Sequence, residues 1–126
     1  MTPTKIHLHK KTQVLDIHFN ENSYNLSAEF LRVHSPSAEV RGHAGSGGST
    51  PYAKRNVKIE KLEMTGNYAI RIFFDDDHSS GLYSWPYLYE LCTQHDTLWD
   101  AYLEKLHQLQ KSRDEDTRVV TITPLN

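Results

Sequence analysis

The sequence predicts an α+β domain, an antiparallel β meander and hairpins packed with a short N-terminal helix and with C-terminal helices. Three observations predict it. Apolar and polar residues alternate from Lys5 to Phe19 and again from Ala69 to Phe74, the period of strands with one buried face. Apolar residues from Leu88 to Leu109 recur at helical spacing instead. Strands come first and helices last, which argues for helices laid against antiparallel sheet.

In chain order, Ile6 and Leu8 alternate with Lys5, His7 and His9, and Leu15, Ile17 and Phe19 alternate with Val14, Asp16 and His18. The polar Lys10–Thr12 stretch between them suits a hairpin turn. Asn20–Ser23 is a second turn, and Tyr24 with Leu26 makes a short third strand. Such a meander has one apolar and one wet face. Ser27 is placed to cap a short helix from Ala28 to Val33. Pro36 ends the helical stretch, because the residue before a proline is pushed out of helical geometry.

From His34 to Pro51 the pattern is irregular, and the glycine-rich residues 42–50 read as a surface linker. They lack both the Gly-Lys-Ser/Thr ending and the Gly-x-Gly-x-x-Gly spacing of phosphate loops, and a strand follows instead of a helix. Lys54 and Arg55 read as a solvated turn closing that loop. Val57 to Met64 is a strand whose alternation breaks near Lys61, the mark of a bulge. Gly66 and Asn67 turn the chain into the central hairpin. Its first strand is Ala69–Phe74, Asp75–Asp77 break the run as a tip, and His78 to Ser84 returns.

Ser84 caps the next helix with Pro86 in its first turn, where a missing N–H does no harm. Tyr83, Trp85, Tyr87 and Tyr89 form the hinge, core first, with any exposed member available to a partner. Asp96 or Thr97 is expected to cap a last helix carrying Leu98, Trp99, Tyr102, Leu103, Leu106 and Leu109. Residues 1–111 are then one domain. Residues 112–126 form a charged, solvated C-terminal tail, in which Val119, Val120 and Ile122 either add an edge strand or fray.

The totals narrow the function. A chain of 126 residues is one domain, and its net charge of -2, from 14 Lys+Arg against 16 Asp+Glu, argues against a general nucleic-acid binder. The single Cys92 excludes an internal disulfide and any multi-cysteine metal site, and it sits on an apolar helix face as a core residue. No nucleophile turn and no Ser–His–acid order is visible, and the aspartates at the hairpin tip lack the enclosure that would separate their pKa values. The expectation is therefore a non-enzyme. The start of the sequence has no apolar signal core and no run reaches membrane-spanning length, so a soluble, monomeric cytoplasmic protein without membrane contacts is expected.

Three motifs in order, Leu31 to His43, Gly66 to His78 and Gly81 to Trp85, resemble the gamma-butyrobetaine hydroxylase-like N-terminal domain family. The resemblance runs from about Ile6 to Leu91. It implies a small α+β domain that stands alone in some members and elsewhere is fused to P-loop ATPases carrying iron–sulfur clusters, or precedes an oxygenase domain. In the hydroxylases it binds zinc through three cysteines and a histidine. Those cysteine positions fall here on Ser35, Ser37 and Val40, the histidine falls on His78, and the family's glycine before it is Asp77. Three of the four ligands are absent, so that zinc site does not carry over, nor does the hydroxylase reaction.

Two candidate sites follow. One is a partner surface of Arg32, Ser37, Glu39 and Arg41 beside Asp77 and Tyr83, with guanidinium groups suited to carboxylates or phosphates. By resemblance this makes an accessory or adaptor domain in iron–sulfur protein maturation, with a P-loop iron–sulfur carrier ATPase as partner. The alternative is a mononuclear zinc or iron site centred on His78 with His34 and His43 assisting. Both need the bend after the first helix to meet the aspartate-tipped hairpin.

Overall fold

The computed structural model describes residues 1–36, 49–76 and 81–115. Strands β1 (Lys5–His9), β2 (Val14–Phe19) and β3 (Asn22–Ser27) form an antiparallel sheet in that order. The register pairs Ile6 with Ile17, Leu8 with Leu15 and Leu15 with Leu26, so one face collects the apolar residues. Gln13 and Asn20 close the two turns at φ 57° and 56°, a left-handed geometry that short polar turns use. The second turn is tighter than the sequence suggests, because Asn22 and Ser23 already belong to β3.

Helix α1 (Ala28–Val33) follows directly, with the Ser27 hydroxyl accepting the Phe30 N–H at 3.0 Å. All six of its residues are buried, including Glu29 and Arg32.

The second sheet is β4 (Ile59–Thr65), β5 (Ala69–Phe74) and β6 (Gly81–Ser84), again antiparallel and in order. The pairing shifts between Ile59 and Lys61, the bulge that the broken alternation predicts. Gly66 turns the chain at φ 55°, where a side chain would be strained and would also crowd Tyr68. Helix α2 (Trp85–Thr93) starts on the Ser84 hydroxyl, which accepts the Tyr87 N–H at 3.3 Å. The inner faces of both sheets meet α1 and α2 in one core containing Leu15, Ile17, Phe30, Ile72, Phe74 and Leu88. Cys92 lies in the same core, and burial pushes its thiol up to about 12, so it is a packing residue.

Three expectations are corrected here. Helix α3 (His95–Leu109) begins at Gln94 with no side-chain cap. Asp96 sits inside its first turn, with its charge near the positive end of the helix and its Oδ1 2.8 Å from His95 Nδ1, and Thr97 is likewise within the helix. Residues 112–115 are not a free tail. The Ser112 and Arg113 carbonyls accept the N–H groups of Ala53 and Arg55 at 2.8 and 3.0 Å. Arg113 holds the Glu29 carboxylate bidentately at 2.8 and 2.7 Å and lies 5.0 Å from the Trp99 ring centre. The reason is that Glu29, only 6% exposed, needs a partner for its charge. Finally, Lys54 is not simply solvated, since its ammonium reaches Asp76 at 2.6 Å. Val119, Val120 and Ile122 lie outside the described residues.

Candidate functional site

The end of α1, the end of β5 and the β6–α2 corner converge on one junction. Arg32 Nε donates to Asp76 at 2.9 Å, although 44 residues separate them. Lys54 donates to the same carboxylate oxygen. Burial opposes the charge on Asp76, but the Lys54 hydrogen bond and the Arg32 and Lys54 charges outweigh it and hold the pKa below the usual carboxylate value. The junction therefore carries a fixed anion between two cations.

Two tyrosines tie the same junction to the second sheet. The Tyr83 hydroxyl donates to the Leu31 carbonyl, and the Tyr87 hydroxyl donates to the His34 carbonyl at 2.7 Å. These are carbonyls at the end of α1, where helical partners run out. Ser35 is fully buried, and a Cβ at Gly81 would stand 3.4 Å from its hydroxyl and collide with the Tyr83 ring. Gly81 is therefore a close-approach glycine, which lets β6 pass against the residues following α1.

His34 is half-buried, stacked at 4.5 Å between ring centres on Phe30. Its Nδ1 lies 2.9 Å from the Phe30 carbonyl. A carbonyl only accepts, so Nδ1 carries the proton and Nε2 keeps its lone pair. Desolvation lowers the His34 pKa, the Phe30 hydrogen bond works against this, and the nearby His95 adds to the lowering.

The sequence-derived site residues divide accordingly. Arg32, His34 and Tyr83 are at the junction. Ser37, Glu39, Arg41, His43, Asp77 and His78 lie outside the described residues, as does Val40. Tyr83 is corrected from a surface to a core role: it has no exposed area, burial drives its phenol far up, and its hydroxyl is committed to Leu31. Arg32, at 3% exposure, likewise works from within, pinning Asp76. Lys54 and Tyr87 are participants that pattern reading assigns elsewhere. Asp76 does stand out beforehand as part of the acidic tip, but nothing local reveals its partners. Among the described residues no group of three or more His, Cys, Asp or Glu is arranged to hold a metal ion. None of the described helices is long and apolar enough to cross a membrane.

Comparison with known proteins adds a family. The model for the gamma-butyrobetaine hydroxylase-like N-terminal family matches residues 6–89. An NMR solution structure 49% identical to this chain covers 98% of both chains with a TM-score of 0.81. A second NMR structure, 41% identical, covers 97% of this chain and 93% of its own with a TM-score of 0.76. A crystal structure of a protein with unknown function from Acidithiobacillus ferrooxidans, placed in a family known only as a domain of unknown function, is 25% identical. It matches 71% of this chain and 91% of its own with a TM-score of 0.60. No curated protein matches.

Proposed function

Since the chain belongs to the gamma-butyrobetaine hydroxylase-like N-terminal family, we propose that it is a non-enzymatic adaptor domain. Its docking surface is borne on the two segments that leave the α1–β5–β6 junction. The process we assign is iron–sulfur protein maturation in the cytoplasm, with a P-loop iron–sulfur carrier ATPase as the partner of a monomeric domain. One observation supports this reading: Arg32 and Asp76 join the flanks of both segments through a partly buried ion pair. Pro36 and Ser49 bound one segment and Asp76 and Gly81 bound the other, and Arg32 lies four residues before Pro36 and pairs with Asp76.

The test is a binding titration between the purified protein and the P-loop iron–sulfur ATPase of the same host. The double variant Glu39→Arg, Arg41→Glu should weaken binding roughly a hundredfold, because like charges would then face each other across the contact. Equal binding by the variant, or no binding by either, would end the assignment.

A mononuclear zinc or iron site at His78, assisted by His34 and His43, is a second reading with one specific observation in its favour. His34 donates through Nδ1 to a carbonyl and leaves Nε2 available, the orientation that metal-bound histidines adopt. Metal analysis of untagged protein decides it. A stoichiometric metal lost in His78→Ala supports the site, and metal-free folded protein refutes it.

A further inference from the structure

We propose that the wet face of the first sheet carries a two-imidazole chelate for a divalent transition metal, formed by His7 and His9 with Asp16 as the positioning residue. The two histidines alternate with Ile6 and Leu8 on β1, so they share the exposed face. Their ring centres are 4.4 Å apart and their planes are 30° from parallel. Two imidazoles on one ion, with metal–nitrogen bonds of about 2.0–2.1 Å, place their ring centres roughly 4.5–5 Å apart. The two rings are thus already spaced about as two imidazoles on one ion would be.

Asp16 completes the arrangement from β2. It is the direct register partner of His7, and its Oδ2 lies 2.5 Å from His9 Nε2. A carboxylate in that contact keeps the proton on Nε2 and leaves the Nδ1 lone pair of His9 for a metal. This is the carboxylate–histidine–metal relay that fixes a tautomer and raises ligand basicity. Neutral nitrogen donors favour zinc, copper or nickel over calcium or magnesium. Water fills the remaining positions, because the face is open and His9 is 43% exposed. The site shares no residue with the His34, His43 and His78 set and does not depend on the adaptor reading.

Untagged protein titrated with zinc chloride or copper chloride, followed by calorimetry and by imidazole NMR signals, tests the proposal. One equivalent should bind at micromolar concentrations and shift the His7 and His9 rings. Either His7→Gln or His9→Gln should weaken binding by roughly tenfold or more, and Asp16→Asn by about tenfold with binding retained. His18→Gln, on the same face but paired with Lys5 in the register, should leave affinity unchanged. The replaced side chains are on the wet face, so an unperturbed backbone spectrum will certify the fold. Binding no tighter than millimolar overturns the proposal. So does binding that survives the His7→Gln, His9→Gln double variant, including binding that disappears only in His78→Ala.

Discussion

Asp76 decides the electrostatics of the junction. Arg32 is 3% exposed and Asp76 22%, so the pair is worth more than a surface contact. The pKa of Asp76 is depressed in the fold: burial raises it, but the Lys54 hydrogen bond and the Arg32 charge lower it further. A depressed value means the folded state binds its proton less readily than the unfolded chain. The resulting stability is complete above the ordinary value of 3.8 and is lost as pH falls through the lower folded value. Asp76→Asn should cost about 2–3 kcal/mol at neutral pH, since the buried Arg32 charge then loses this carboxylate. Urea unfolding measures the difference, which should narrow below 3.8. A difference unchanged into that acid range would mean packing, not charge, is responsible. His34 works in the same direction at higher pH: its lowered pKa means the unfolded chain binds the proton more readily, so His34 also reduces stability as pH falls below 6.5.

At the scale of elements, period-two alternation is legible in β1, β2 and β5 because one face of each is buried or, in β1, half-buried. The hydroxyl caps of α1 and α2 are legible because Ser27 and Ser84 immediately precede apolar runs. The docking of residues 112–115 is not legible, since Arg113 and Glu29 lie 84 residues apart and each looks like an ordinary surface charge. The start of α3 is missed for a related reason: α2 and α3 are separated only by Gln94, and no cap is needed to stop one and start the other. The Arg113 contact yields a paired prediction. Arg113→Ala should destabilise by about 3 kcal/mol, because it leaves the buried Glu29 carboxylate without its guanidinium. Arg55→Ala breaks a contact to Asp114 in which the side chains are 44% and 61% exposed. It should cost at most about 1 kcal/mol. Denaturant midpoints on the two variants compare them directly, and equal losses would mean that the segment is not held through Glu29.

For the whole molecule, the two sheets are distinct in hydrogen bonding but not in packing, and this difference governs how the protein unfolds. Leu15 and Ile17 from the first sheet share a core with Ile72 and Phe74 from the second. Gln13, in the first turn, joins them again. Its carbonyl accepts the Ala28 N–H at 2.9 Å, and its side-chain oxygen accepts the Ile59 N–H at 2.7 Å. One turn residue thus positions both the entry to α1 and the start of β4. Hydrogen exchange should therefore show protection in β2 and β5 lost together in a single cooperative opening. Gln13→Gly removes the linking bond without backbone strain, because glycine accepts the φ of 57°; the other bond it removes, from Gln13 Nε2 to the Lys10 carbonyl, is exposed. It should lower stability by about 1–2 kcal/mol, the cost of leaving the part-buried Ile59 N–H without this acceptor. Protection in both sheets should fall by the same amount. If β5 loses protection while β2 keeps it, the sheets are separate units, and the junction between α1 and β5 is too loose to present two segments as one surface.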